Sequence, residues 1–111
     1  MQMSPLVRSA VDRFLAALRE QFAARLRECI LFGSQARGDA HEDSDVDLLV
    51  VIDDLTGSEQ KFVLDLAYDA GATGDDLIIL SPLPYSSAQA AGLRARERRL
   101  MLEIARDGVP L

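Results

Sequence analysis

The fold of this chain is decided by Cys29-Ile30-Leu31-Phe32-Gly33-Ser34-Gln35-Ala36-Arg37-Gly38-Asp39-Ala40-His41-Glu42-Asp43-Ser44-Asp45-Val46-Asp47-Leu48-Leu49-Val50-Val51-Ile52. Its short apolar run, Ile30 to Phe32, reads as a buried strand that ends at Gly33-Ser34. After a polar segment, Asp45-Val46-Asp47 leads directly into Leu48 to Ile52, a run too short and too rich in Val and Ile to favour a helix. Strand alternation puts Asp45 and Asp47 on one face and Val46 and Leu48 on the other. The two acids then lie roughly 6–7 Å apart at their backbones, close enough for their side chains to converge on one cation.

Two carboxylates at the start of a buried strand repel each other, and burial adds to the cost. A hard divalent cation such as Mg2+ relieves both, because it takes oxygen ligands from one or two carboxylates and completes its shell with substrate phosphates. The Gly33-Ser34 turn is suited to those phosphates. Gly33 lets a ligand approach the backbone, and Ser34 stands where a short helix can begin, with N–H groups aimed at an anion. Arg37 lies three residues on, within reach of the same phosphates or of Asp45, and Gly38 ends the turn. The combination describes a nucleoside-triphosphate site without a Walker loop.

Gly33-Ser34, Ala36-Arg37-Gly38 and Ser44-Asp45-Val46-Asp47-Leu48 resemble the signature of the DNA polymerase beta nucleotidyltransferase superfamily: Gly-Ser, a spacer, then Asp-x-Asp. Within it the chain is most similar to the minimal nucleotidyltransferases, stand-alone domains of about this size. Many of these are encoded beside a small helical HEPN protein, and several such pairs act as toxin and antitoxin. The tail from Glu103 to Leu111 also resembles HEPN-linked members. The resemblance implies a polymerase-beta-type α/β fold, a small mixed β-sheet with flanking helices whose open face carries nucleotide and metals. It implies transfer of AMP from ATP to a hydroxyl of a HEPN-type toxin (tyrosine in known pairs). Asp45 and Asp47 would hold one or two Mg2+ ions, Gly33 and Ser34 would orient the phosphates, and Arg37 would support that loop. Superfamily members add a third carboxylate on the neighbouring strand. Asp76 is the candidate, with Asp75 as alternative and a solvated turn as the competing reading. Two rival functions stand beside this one: an antitoxin that neutralises its partner by contact alone, and a small-molecule nucleotidyltransferase. The latter is disfavoured because such enzymes carry an added helical domain for the acceptor.

The 111 residues read as one domain, 1–111, and 49% hydrophobic residues suit a packed globule. A net charge of −6, from 12 basic and 18 acidic residues, argues against sequence-independent nucleic-acid binding. Cys29 cannot form an internal disulfide and reads as a small buried hydrophobe. That suits a reducing compartment. Met1 to Pro5 shows no secretory pattern and the apolar runs are strand-sized, so a cytoplasmic protein with no membrane contact is expected.

Ser4-Pro5 caps a first helix predicted over Pro5 to Arg27, with Leu6, Val7, Val11, Phe14, Leu15, Leu18, Phe22 and Leu26 on one stripe. A second helix begins at Ser58-Glu59 and stops at Gly71. Leu77 to Leu80 is predicted as a third strand, with Asp76, Ile78 and Leu80 on one face, and Ser81 to Tyr85 as an extended Pro-rich segment. Ser86-Ser87 caps a single last helix that turns Leu93, Leu100, Met101 and Ile104 inward until Gly108. Arg94, Arg96, Arg98 and Arg99 form its basic ladder, either a solvated face or a dock for an acidic partner. His41, the one histidine, reads as a solvated loop side chain.

Overall fold

The computed structural model describes residues 3–38, 45–72 and 77–111. Helix α1 (Pro5–Phe22) and a short 3-10 turn (Ala23–Arg25) lead into β1 (Leu26–Phe32), then α2 (Ser34–Arg37) and β2 (Val46–Ile52). Helix α3 (Gly57–Gly71), β3 (Leu80–Ser86), α4 (Ser87–Ala95), α5 (Arg99–Asp107) and a two-residue β4 (Val109–Pro110) complete the order. The strands form one sheet in the order β3-β2-β1-β4, with β2 antiparallel to β1 and parallel to β3, and β4 antiparallel to β1. The small mixed sheet with flanking helices is therefore present.

β2 is the centre of that sheet, and every residue on it but Asp47 is buried. Strand alternation divides them between two cores. Val46, Leu48, Val50 and Ile52 pack with Phe14 and Leu18 of α1 and Val63 and Ala67 of α3. Leu49 and Val51 pack on the other side with Ala90 of α4 and Met101 and Ile104 of α5. The second face is thus covered around Leu49 and Val51 by α4 and α5. Cys29 is buried and unpaired, and that burial pushes its thiol up to about 12.

Four boundaries depart from the sequence reading. α1 stops at Phe22 because Ala23 turns to φ 49°, ψ −124°, while its N–H still bonds the Arg19 carbonyl. Leu26, four residues after Phe22, mimics the next helical position but is claimed by the strand ladder, where it pairs with Ile52. α3 starts one turn ahead of its glutamate. Thr56 is the cap, its hydroxyl accepting from the Glu59 N–H (3.2 Å) while Glu59 accepts from the Thr56 N–H (3.0 Å). The last helix is two, α4 and α5, broken at Glu97, which sits at φ 51°. No glycine or proline marks this break. It lets Ala90 from one helix and Met101 and Ile104 from the other reach the same face of β2.

The third strand begins at Leu80 and runs through the prolines. β3 lies at the sheet edge, where one side of the strand lacks a ladder. Pro82 and Pro84 share one parity, so their missing N–H groups fall on one side of it. The Pro84 carbonyl accepts from Gln60 Nε2 at 3.0 Å, which places that side outward. No described helix is long and apolar enough to cross a membrane.

Gly71 ends α3 for reasons of space. A Cβ there would overlap the Ile78 carbonyl, whose residue donates its N–H to the Gly71 carbonyl (3.0 Å) as the chain turns toward β3. Gly92, inside α4, has open space around it. Gly71→Ala should therefore cost about 1–3 kcal/mol through forced backbone movement. Gly92→Ala should gain about 0.5–1 kcal/mol from helix propensity. Urea unfolding of the two variants beside wild type measures both signs.

Candidate active site

The site is built where β1 ends and β2 begins. Phe32 pairs with Asp47 across the ladder, so the residue after Phe32 is turned out beside that carboxylate. That residue is Gly33, at φ 73°, ψ −154°. A Cβ on it would overlap Asp47 Oδ2 and lie 3.3 Å from Asp47 Cγ. Only glycine fits, for conformation and for space together.

α2 starts directly from this glycine. Ser34, Gln35 and Ala36 supply the N–H groups of its first turn, ahead of the first helical bond, Arg37 N–H to the Gly33 carbonyl (3.1 Å). Gly38 closes the turn at φ 80°, its N–H donating to the Ser34 carbonyl at 3.0 Å. The predicted Gly-Ser turn and its closing glycine are both present.

Asp45 is exposed just before β2, and Asp47, the second residue of the strand, is half-buried. Burial raises the Asp47 carboxyl above its usual value, the Asp45 charge raises it further, and Arg37 pulls it back. The acids repel as expected, in a place that water only partly reaches. A divalent cation beside them would oppose both causes of the shift, and the oxygen-only donor set suits Mg2+. Among the described residues no group of three or more His, Cys, Asp or Glu side chains is gathered to hold a metal. Asp45 and Asp47 are the oxygen donors that the described residues would offer such an ion.

Gly33, Ser34, Arg37 and Asp47 line one cleft of about 340 Å3 together with Phe32, Leu100, Glu103 and Asp107. Four of the six sequence-predicted residues thus share one cavity, and Asp45 adjoins it through its effect on Asp47. Asp76, its alternative Asp75, and His41 lie outside the described residues. Ile78 and Leu80, which follow them in the chain, pack into the α1–α3 core. The β3 residue level with Asp47 is Ser81, and β3 itself (Leu80–Ser86) carries no carboxylate.

Part of the cleft wall comes from α5, which the sequence reading did not include. Leu100, Glu103 and Asp107 follow at spacings of three and four, so they form one stripe beside buried Met101 and Ile104. Asp107 is held by Arg106 at 2.9 Å, and Arg106 first, with Arg37 adding, keeps its carboxyl below the usual range. Glu103 pairs with Arg99 at 3.3 Å. The basic ladder is also divided: Arg94 forks onto Glu28 of β1 at 2.8 and 3.0 Å, and Arg99 goes to Glu103. It is not one uniform basic face.

In metal-free buffer, Asp47→Asn should raise the melting temperature at pH 7. The wild-type carboxyl titrates higher in the folded than in the unfolded chain, so its charge lowers stability above that raised value. As pH falls below the ordinary carboxylate value of 3.8, both states take up the proton and the advantage should vanish. Thermal melts of the two proteins from pH 3 to pH 8 decide the point. Mg2+ should stabilise wild type and leave the variant unmoved. Gly33→Ala, which pushes a methyl group into Asp47, should weaken Mg2+-dependent ATP binding at least tenfold by calorimetry.

A family model described as Nucleotidyltransferase domain matches residues 11–99, from within α1 to the start of α5. Among curated relatives from Methanocaldococcus jannaschii, the candidate protein adenylyltransferase MJ0604 is 48% identical over 57 residues, 51% of this chain and 53% of that one. A second candidate protein adenylyltransferase, MJ0141, is 39% identical over 62 residues, 55% of this chain and 61% of its own. The match thus spans little more than half the length of these relatives. A solved structure of a candidate minimal nucleotidyltransferase is 30% identical with a TM-score of 0.57, over 95% of this chain and 92% of that one. A chain from a toxin–antitoxin crystal structure with AMP-PNP shares the fold, at 22% identity and TM-score 0.55, over 87% of this chain and 68% of that one.

Proposed function

This chain belongs to the nucleotidyltransferase domain family, and on that premise we propose that it transfers AMP from ATP to a hydroxyl of a partner protein, a HEPN-type toxin that the modification silences. The observation that carries this reading is the apposition of Gly33 and Asp47, which joins the phosphate turn to the acid pair at one cleft. The adenylyltransferase relatives and the toxin–antitoxin neighbour with AMP-PNP support the choice of nucleotide and of partner class.

The residues divide the work by charge. The N–H groups of the α2 first turn and the Ser34 hydroxyl bind the β and γ phosphates, and Arg37 adds a fixed positive charge at the last residue of that turn. Asp45 and Asp47 would hold Mg2+, which supplies charge neutralisation for the triphosphate. The acceptor oxygen attacks the α-phosphorus in line, the new P–O bond forms as the bond to the bridging oxygen breaks, and pyrophosphate leaves. A second reading, an antitoxin that acts by contact without transfer, is favoured by one observation, the absence of a carboxylate on β3.

Wild type, ATP, Mg2+ and the HEPN-type partner should give a partner heavier by one AMP in intact-mass spectrometry. Asp45→Asn with Asp47→Asn should reduce that transfer at least a thousandfold while leaving the complex intact on size exclusion. A partner that gains no mass from wild type, yet is still neutralised by the double variant, would establish the contact mechanism instead.

A further inference from the structure

α5 contributes Leu100, Glu103 and Asp107 to the wall of the cleft that Asp47 also lines, and that part of the wall is acidic. A triphosphate is a poor neighbour for carboxylates that no cation screens. Asp45 and Asp47 would be screened by their ion. Glu103 lines the same cleft from α5. Asp107 is engaged by Arg106 and sits in the field of Arg37, which fixes it as an ionised anchor. Glu103 is different. Its side chain is 48% exposed and its partner, Arg99, is 92% exposed one turn away, so the pair is a weak one that an incoming group can displace. Met101 and Ile104, buried against Leu49 and Val51, set the rotation of α5 and hold the Glu103 side toward the cleft.

The α5 wall is thus unsuited to phosphate and suited to a group that brings a proton. We infer that Leu100 and Glu103 form the acceptor side of the cleft, and that the Glu103 carboxylate receives the proton of the attacking hydroxyl. The inference rests on the nucleotidyl-transfer reading and deepens it. The step balances: the acceptor O–H bond breaks, its oxygen bonds the α-phosphorus, its proton moves to a Glu103 oxygen, and pyrophosphate departs with the electron pair of the broken P–O bond.

Glu103→Gln keeps the size of the side chain and removes its basicity. Calorimetric titration with ATP and Mg2+ should give an affinity within about twofold of wild type. Single-turnover AMP transfer to a tyrosine-bearing HEPN-type protein should fall about a hundredfold. Glu103→Asp should restore part of the rate, and melting temperatures should match throughout. Tighter ATP binding by Glu103→Gln would show that the wall faces phosphate and would overturn the assignment, as would an unchanged transfer rate. Wild type that binds ATP but transfers no AMP would instead remove the transfer reading, and the role of Glu103 with it.

Discussion

One carboxylate stands in a strand whose every other residue is buried, and most of the molecule can be understood from that tension. β2 is covered on both faces, by α1 and α3 on one side and by α4 and α5 on the other. Such burial holds the strand rigid, and the rigidity fixes where Asp47 points. The same burial raises the Asp47 carboxyl, so the unliganded protein carries a local electrostatic cost that a cation would relieve. Gly33 adds to the confinement by bringing backbone where any side chain would collide. Fold and site are therefore one construction, in which the apolar ladder positions the charge and the missing Cβ shapes the space beside it.

The far end of β2 is secured by a different set of contacts. Arg25 forks onto Glu59 at 2.8 and 2.9 Å, bonds the Asp53 carbonyl at 3.0 Å, and lies 5.7 Å from the Phe22 ring centroid. Asp53 also accepts from Arg27 at 2.6 Å and from the Ser87 hydroxyl. The start of β1, the end of β2 and the caps of α3 and α4 are thus tied together. Acidic and basic groups are paired at this end, whereas at the Asp47 end Asp45 and Asp47 repel and Arg37 opposes that repulsion.

The sequence made the site legible wherever local chemistry and strand period agreed. Asp47 could be placed on a face because Val46, Leu48 and Val50 alternate with it, and Gly33 was readable because no other residue suits that turn. Legibility failed where a distant contact overruled a local pattern. Leu26 has helical spacing from Phe22 but pairs with Ile52. Pro82 and Pro84 obscure a strand that an edge position permits. Glu103 and Asp107 drew no reading as site residues, because their relation to the cleft depends on how α4 and α5 fold back over Leu49 and Val51. A single-helix reading of residues 86 to 108 cannot bring them there.

The prolines of β3 bear on how the molecule behaves in a crowd. A sheet edge is a template, and a second chain laid along it gains a bond for each donor and acceptor it meets. Pro82 and Pro84 remove two donors from the outer side of β3, and Gln60 already occupies the Pro84 carbonyl. A foreign strand arriving there would leave its own carbonyls unanswered at alternate positions. The residues that hid the strand from a sequence reader also blunt it against strand-to-strand aggregation, and they do so without placing a charge beside the core.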